Sequence, residues 1–224
     1  MYNGGVPDRF ELRMKKILKW IGQAIALILV LPLAGIELVA KRLLRRDVFL
    51  SVHAQLLSLI PGKVGSYLRV AYYRFALDHC SKNIVIQFGS RFTQSAVSVE
   101  DRVYIGTGCV IGMSSIGSET MLADNVLVLS GRHQHGTASG TSFQSQPQTF
   151  QRVSIGNNVW IGSAAVIMAD IGNNSIVGAG SVVTRPVPEC QKVAGNPARS
   201  IGSTLAVPDC GSVPTSPRSL SGID

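Results

Sequence analysis

Apolar positions in the second half of the chain recur every six residues. The beat reads Ile155-Gly156-Asn157-Asn158-Val159-Trp160, then Ile161-Gly162-Ser163-Ala164-Ala165-Val166, and returns at Ile171–Ile176 and Val177–Val182. Upstream it runs from Ile105 to Val110, from Ile116 to Met121 and from Leu122 to Leu127. An aliphatic residue opens each hexad, Gly or Ala usually follows, and a small or β-branched residue stands fifth. The period matches neither an amphipathic helix at about 3.6 nor an alternating strand at about 2. It predicts a parallel β-helix of hexapeptide repeats, in which three short strands and three corners close each coil.

The clock slips in three places. Ile111–Ser115 is short before Ile116, Ile167–Asp170 is short before Ile171, and between Ser130 and Arg152 there is no beat. A long interruption of a regular solenoid predicts a functional loop, assigned here to 130–152.

The first third of the chain has a different pattern. Trp20 to Ile36 is an uncharged apolar run, flanked by Arg13, Lys15, Lys16 and Lys19 before it and Lys41, Arg42, Arg45 and Arg46 after it. As a helix it falls slightly short of a bilayer core of roughly 30 Å. Basic clusters belong on the cytoplasmic side, and a single span would export one of them. A re-entrant hairpin broken near Pro32 or a monotopic helix keeps both inside; a full span and a buried core helix are the alternatives. No small-x-small cleavage site follows the run, which argues against a signal peptide. Residues 48–79 read as two helical stretches divided at Pro61-Gly62, the second rich in Tyr and Arg, suited to a membrane interface or to a cap on the first coil.

The organisation expected is therefore a basic, apolar anchoring segment at 1–47, a helical interfacial or cap region at 48–83, the β-helix at 84–202 and a disordered tail at 203–224. The net charge of +8 favours an anionic partner. The excess lies beside the apolar run, which points to acidic lipid headgroups rather than nucleic acid. Cys80, Cys109, Cys190 and Cys210 have no metal-binding spacing and are expected to be reduced on a cytosolic domain.

The segments Ile155–Gly162, Val177–Arg185 and Ala194-Gly195-Asn196-Pro197-Ala198-Arg199 resemble the hexapeptide-repeat acyltransferases, most closely the sugar and polysaccharide O-acetyltransferase branch. The resemblance covers roughly 84–202. It implies a left-handed β-helix, a homotrimer, and acetyl-CoA bound in the groove between adjacent β-helices, with no metal. It places Asn125–His133 at the start of the family's active-site loop and His133 on the catalytic position. His135 and Asn125 are further candidates for catalytic or acceptor contacts. Trp160, Ser163, Ala179 and Thr184 match positions lining the coenzyme site, and Arg185 and Arg199 match basic positions near its phosphates. The loop departs from the family in reading Arg132-His133-Gln134-His135-Gly136, which leaves the acceptor open.

Acyl transfer from a thioester to a hydroxyl needs a base, and a neutral imidazole is available near cytosolic pH. His133 is the expected general base, and a backbone N–H lining the groove is the expected oxyanion donor. A His-x-His zinc site is the competing use of His133 and His135. The expected function is transfer of acetyl from acetyl-CoA to a sugar hydroxyl of a membrane-linked glycan or polysaccharide precursor, at the cytoplasmic face of the inner membrane. N-acyl transfer to an amino sugar, a carbonic-anhydrase-like hydratase and a non-catalytic membrane scaffold are the rival readings.

Overall fold

The structure, a computed structural model, describes residues 9–44, 49–132, 136, 140 and 142–204. The hexads build a parallel β-solenoid of six coils with three faces. The first face stacks β1 (His79–Cys80), β4 (Val97–Val99), β7 (Ser114–Ile116) and β10 (Val153–Ile155), continued by bridges through Ile171 and Val187. The second stacks β2 (Val85–Ile86), β5 (Tyr104–Ile105), β8 (Met121–Leu122), β11 (Trp160–Ile161), β13 (Ile176–Val177) and β15 (Gln191–Ala194). The antiparallel β16 (Arg199–Ser203) closes it. The third stacks β3 (Arg91–Phe92), β6 (Val110–Ile111), β9 (Leu127–Val128), β12 (Val166–Ile167) and β14 (Val182–Val183).

The opening aliphatic of each hexad points inward. Ile105, Leu122, Ile161 and Val177 form one buried column on the second face, and Ile111, Val128, Ile167 and Val183 another on the third. The fifth residues turn in at the corners: Cys109, Val126, Ala165 and Ser181 at one, Val103, Thr120, Val159 and Ser175 at the next. Buried hydroxyls join coil to coil there. Thr120 Oγ1 donates to Gly156 O at 2.8 Å and accepts from Val159 N at 3.1 Å. The small second residue lets coils stack closely: a Cβ on Gly162 would sit 2.5 Å from Ala179 N.

The register explains the slips. From the first face to the second, and from the second to the third, the chain takes one hexad per corner: Ser115 to Met121 to Leu127, and Ser154 to Trp160 to Val166. All irregularity falls on the return from third face to first. That passage runs from Arg91 to Ser98, from Val110 to Ser115, and from Leu127 through the long loop to Ser154. One edge of the prism is thus free to vary in length while the other two are held to six residues.

Helices α1 (Arg9–Leu44), α2 (Leu50–Ser58) and α3 (Gly62–Ala76) precede the first coil, which begins at His79. The cap locks onto that coil through a chain of rings, His53–Tyr72–Tyr73–Phe92. Arg69, fully buried, donates Nη1 to Leu57 O and Ile60 O at 2.9 and 2.8 Å, and Nε to Ile86 O at 3.1 Å. It closes the open end of α2 and ties it to β2. Contrary to the hairpin reading of the apolar run, α1 continues through Pro32 without a break. Pro32 stands on the exposed side of the helix, and its missing N–H costs one intrahelical bond.

At the other end, β16 brings the chain back onto the last coil. Ser203 Oγ donates to Cys190 O at 2.9 Å and Thr204 N donates to the same oxygen at 3.0 Å. Cys190 is disulfide-bonded, a departure from the four reduced thiols expected; Cys80 and Cys109 are free and buried. Residues 205–224, most of the expected tail, lie outside the described residues.

Candidate active site

The loop leaves the solenoid from the variable edge, directly after β9. Ser130 is buried, and its Oγ accepts from Met113 N at 2.8 Å. Gln151 N donates to Ser130 O at 2.9 Å, so the outgoing and returning strands are clamped together. Gly131 makes the turn at φ +87, with Gln151 pressed against it; a Cβ there would meet the Gln151 side chain at 2.8 Å. Arg152 pins the return, donating to Asp78 Oδ2 at 2.8 Å. Among the loop's described residues a 3₁₀ turn, Phe143–Ser145, is capped by Ser142 Oγ, and Gln146 is buried. His133 begins the segment just beyond this clamp; His133 and His135 lie outside the described residues.

The remaining candidates fall on three places. Ser163 and Ala179 stack on the corner between the second and third faces, where Gly180 N donates to Ser163 O at 2.8 Å. Thr184 and the exposed Arg185 follow β14 on the variable edge, the one from which the loop departs. Arg199 is reached through Ala198, whose N–H bonds to Val182 O at 2.8 Å across the end of the third face. These five residues therefore border one surface: the outer side of the third face, floored by Leu127, Val166 and Val182. Both guanidinium groups are exposed at its margins. An apolar floor with two arginines beside its last strand suits a ligand with a pantetheine-like arm and phosphates, so the residues present fit coenzyme A.

Two candidates stand apart. Trp160 lies on the second face between Met121 and Ile176, 50% exposed. Asn125 sits on the second–third corner with φ +58, the position held by Gly108, Ala164 and Gly180 in neighbouring coils. Its N–H bonds to Thr107 O at 2.7 Å. Its left-handed backbone gives it an architectural role that the sequence pattern alone did not reveal. The outward column of Tyr104, Met121, Trp160 and Ile176 is a further feature, legible only once the strands are in register. Among the described residues no three His, Cys, Asp or Glu side chains come together.

Comparisons with known proteins agree with this architecture. The family described as hexapeptide repeat of succinyl-transferase matches residues 152–185. A chloramphenicol acetyltransferase of Morganella morganii is 32% identical over 155 residues, covering 62% of this chain and 66% of that protein. The galactoside O-acetyltransferase of Escherichia coli strain K12 is 40% identical over 91 residues, 39% of this chain and 42% of that one. The chain thus spans less than two thirds of either relative. A Saccharomyces cerevisiae protein named "Putative acetyltransferase" is 30% identical over 139 residues, 57% of this chain and 67% of its own. The crystal structure of a maltose O-acetyltransferase from Clostridium difficile 630 superposes with a TM-score of 0.63 at 25% identity, covering 73% of this chain and 88% of that one. With its six-coil solenoid, its looped edge and these relatives, the chain belongs to the hexapeptide-repeat acyltransferase family.

Proposed function

We propose that the protein transfers acetyl from acetyl-CoA to a sugar hydroxyl of a membrane-linked glycan, with His133 as general base. The observation that carries this reading is the convergence of Ser163, Ala179, Thr184, Arg185 and Arg199 on one face, bounded by the edge that sends out the His133 loop. In the reaction His133 removes the acceptor proton as the hydroxyl oxygen attacks the acetyl carbonyl. The C–S bond then breaks, and the proton passes from the imidazolium to the departing thiolate. Arg185 and Arg199 hold phosphate oxygens of the donor.

Two partner assignments complete the proposal. In a cyclic trimer the second face of a neighbouring copy, with Trp160, forms the other wall of the donor groove. This gives the outward column of Met121, Trp160 and Ile176 an apolar partner. The membrane assignment rests on α1, long and apolar enough between Ile17 and Leu43 to associate with lipid. Because acetyl-CoA is cytosolic, the catalytic face is assigned to the cytoplasmic side.

The test is acetyl-CoA binding and slow thioester hydrolysis by the detergent-purified protein beside His133→Ala and Arg185→Ala. The expected result is unchanged binding with hydrolysis reduced about 10²–10⁴-fold in the first variant, and about tenfold weaker binding in the second. Failure of the wild type to bind acetyl-CoA would overturn the donor assignment. Acetyl appearing only on nitrogen in an acceptor screen would overturn the hydroxyl assignment.

A further inference from the structure

Helix α1 could meet lipid by crossing the bilayer or by lying along it, and its packing separates the two. Its buried positions among the described side chains are Ala26, Val30, Ala34, Glu37 and Ala40, bordered by half-buried residues that include Gln23, Leu27, Leu33 and Lys41. The spacing of three and four residues makes these one stripe, about 30 Å long from Gly22 to Lys41. The stripe is docked on the cap from end to end. Gly22 lies against the Tyr67 ring, Gln23 Nε2 donates to Lys82 O at 3.0 Å, and Ala26 and Val30 join the solenoid's continuous core. Glu37 Oε2 is 3.9 Å from His53 Nδ1, and Lys41 Nζ donates to Ala76 O at 2.7 Å. Every polar residue in the stripe reaches toward the cap.

The opposite side is apolar and exposed over the same length: Ile21, Ile25, Ile28, Leu29, Ile36 and Val39. Helix α2 extends this surface. A groove of about 530 Å³ on α1, floored by Gly35 and Ala40, is closed on one side by Phe49. Phe49 also begins the exposed stripe of α2, continued by Val52, Leu56 and Leu59. Exposed basic residues stand at both ends of α1, with Arg13 and Lys19 before the exposed face and Arg42 after it.

We infer that α1 and α2 form an in-plane platform seated in one membrane leaflet, so that the chain enters and leaves the bilayer on the same side. This rests on the membrane assignment above but not on the acetyl-transfer chemistry. A helix docked along its whole apolar length on a cap continuous with the solenoid cannot cross the bilayer without drawing that cap in after it. Lying flat, it places its apolar side about 5–10 Å into the acyl region with both basic ends at headgroup level. A second copy is the weaker occupant for this surface, because it would bring its own basic ends against these.

The experiment uses the full chain in closed membrane vesicles of known orientation. Tyr2→Cys reports the N-terminal side of α1 and Ser154→Cys, on the exposed first face, reports the solenoid. With Cys190 and Cys210 replaced by Ser, the remaining Cys80 and Cys109 are buried and give a low background to a membrane-impermeant maleimide. The expected result is membrane-bound protein in which both positions label from the same side of the bilayer. Labelling from opposite sides would overturn the in-plane arrangement and leave membrane association standing. Protein absent from the membrane fraction, with its apolar face buried between copies, would overturn the membrane assignment as well. As an independent reading, Ile28→Trp in a Trp20→Phe, Trp160→Phe background should be quenched most by lipids brominated near the headgroup; strongest quenching by lipids brominated near the bilayer centre would overturn the proposal.

Discussion

At the scale of single residues the solenoid is governed by its corners. Each second–third corner needs one left-handed residue, supplied by Gly89, Gly108, Asn125, Ala164 and Gly180 in successive coils. Alanine is the poorest choice in that series, since its Cβ costs roughly 1–2 kcal/mol in the left-handed region while glycine carries an entropic cost of roughly 0.5–1 kcal/mol. Ala164 is exposed, so its methyl contributes little packing. Ala164→Gly is therefore expected to stabilise the protein by about 0.5–1 kcal/mol, read as a higher denaturation midpoint at unchanged m-value. The cysteines make a second residue-scale case. Burial pushes the Cys80 thiol up to about 12 and raises that of Cys109. Both are therefore protonated at pH 8, where the thiolate is the reactive form. Iodoacetamide should leave both unmodified in the native protein and modify both on unfolding, while Cys190 reacts only after reduction.

At the scale of elements, the cap depends on one buried guanidinium. Removing Arg69 would leave the carbonyls of Ile60 and Ile86 without their donor, each at a cost of about 1–3 kcal/mol, while Leu57 O keeps its bond from Ile60 N. Arg69→Met should lower stability by at least about 2 kcal/mol, and Arg69→Lys should recover only part of it, because a single ammonium does not reproduce the planar fork. Urea unfolding of the three proteins gives the comparison. The elements also differ in how legible they were. The Ile-Gly and Val-Gly pairs gave the first and second faces of the later coils directly, since inward aliphatics and close-stacking glycines leave a local signature. The first coil carries no such pair: Cys80, Ile86 and Phe92 take the inward positions, and its strands become plain only through their pairing with β4, β5 and β6. Pro32 suggested a break in α1 because local chemistry disfavours it, yet docking along the stripe holds the helix together. The residues bordering the third face were named from motif resemblance. That they share one surface could not be read from spacing, because it depends on which edge absorbs the variable lengths.

At the scale of the whole molecule, the proposed membrane seat makes the stacking of coils set the distance between the lipid and the proposed catalytic edge. Helix α2 packs on β3 of the first coil, where Gly89 N donates to Ser58 O at 2.9 Å. The loop departs after β9, two strands further along the third face, and Thr184 follows β14, two strands beyond that. At about 4.8 Å per strand the catalytic edge stands roughly 10–20 Å above the first coil, and a layer of cap helices adds about 10 Å. With the platform seated in one leaflet and the solenoid axis along the membrane normal, the reacting hydroxyl lies roughly 20–30 Å out from the acyl chains. A single sugar on a lipid carrier falls short of that height, whereas an oligosaccharide on the same carrier reaches it. Anchoring donor site and acceptor to one surface raises the effective concentration of an acceptor long enough to span the gap and does nothing for one that is too short. Labelled acetyl transfer should therefore be faster to a carrier-linked oligosaccharide than to the carrier-linked monosaccharide. The same oligosaccharide freed from its lipid should show a higher KM at similar kcat. Equal rates on the short and long carrier-linked acceptors would mean that the catalytic edge lies at the membrane surface, against the order of layers in the fold.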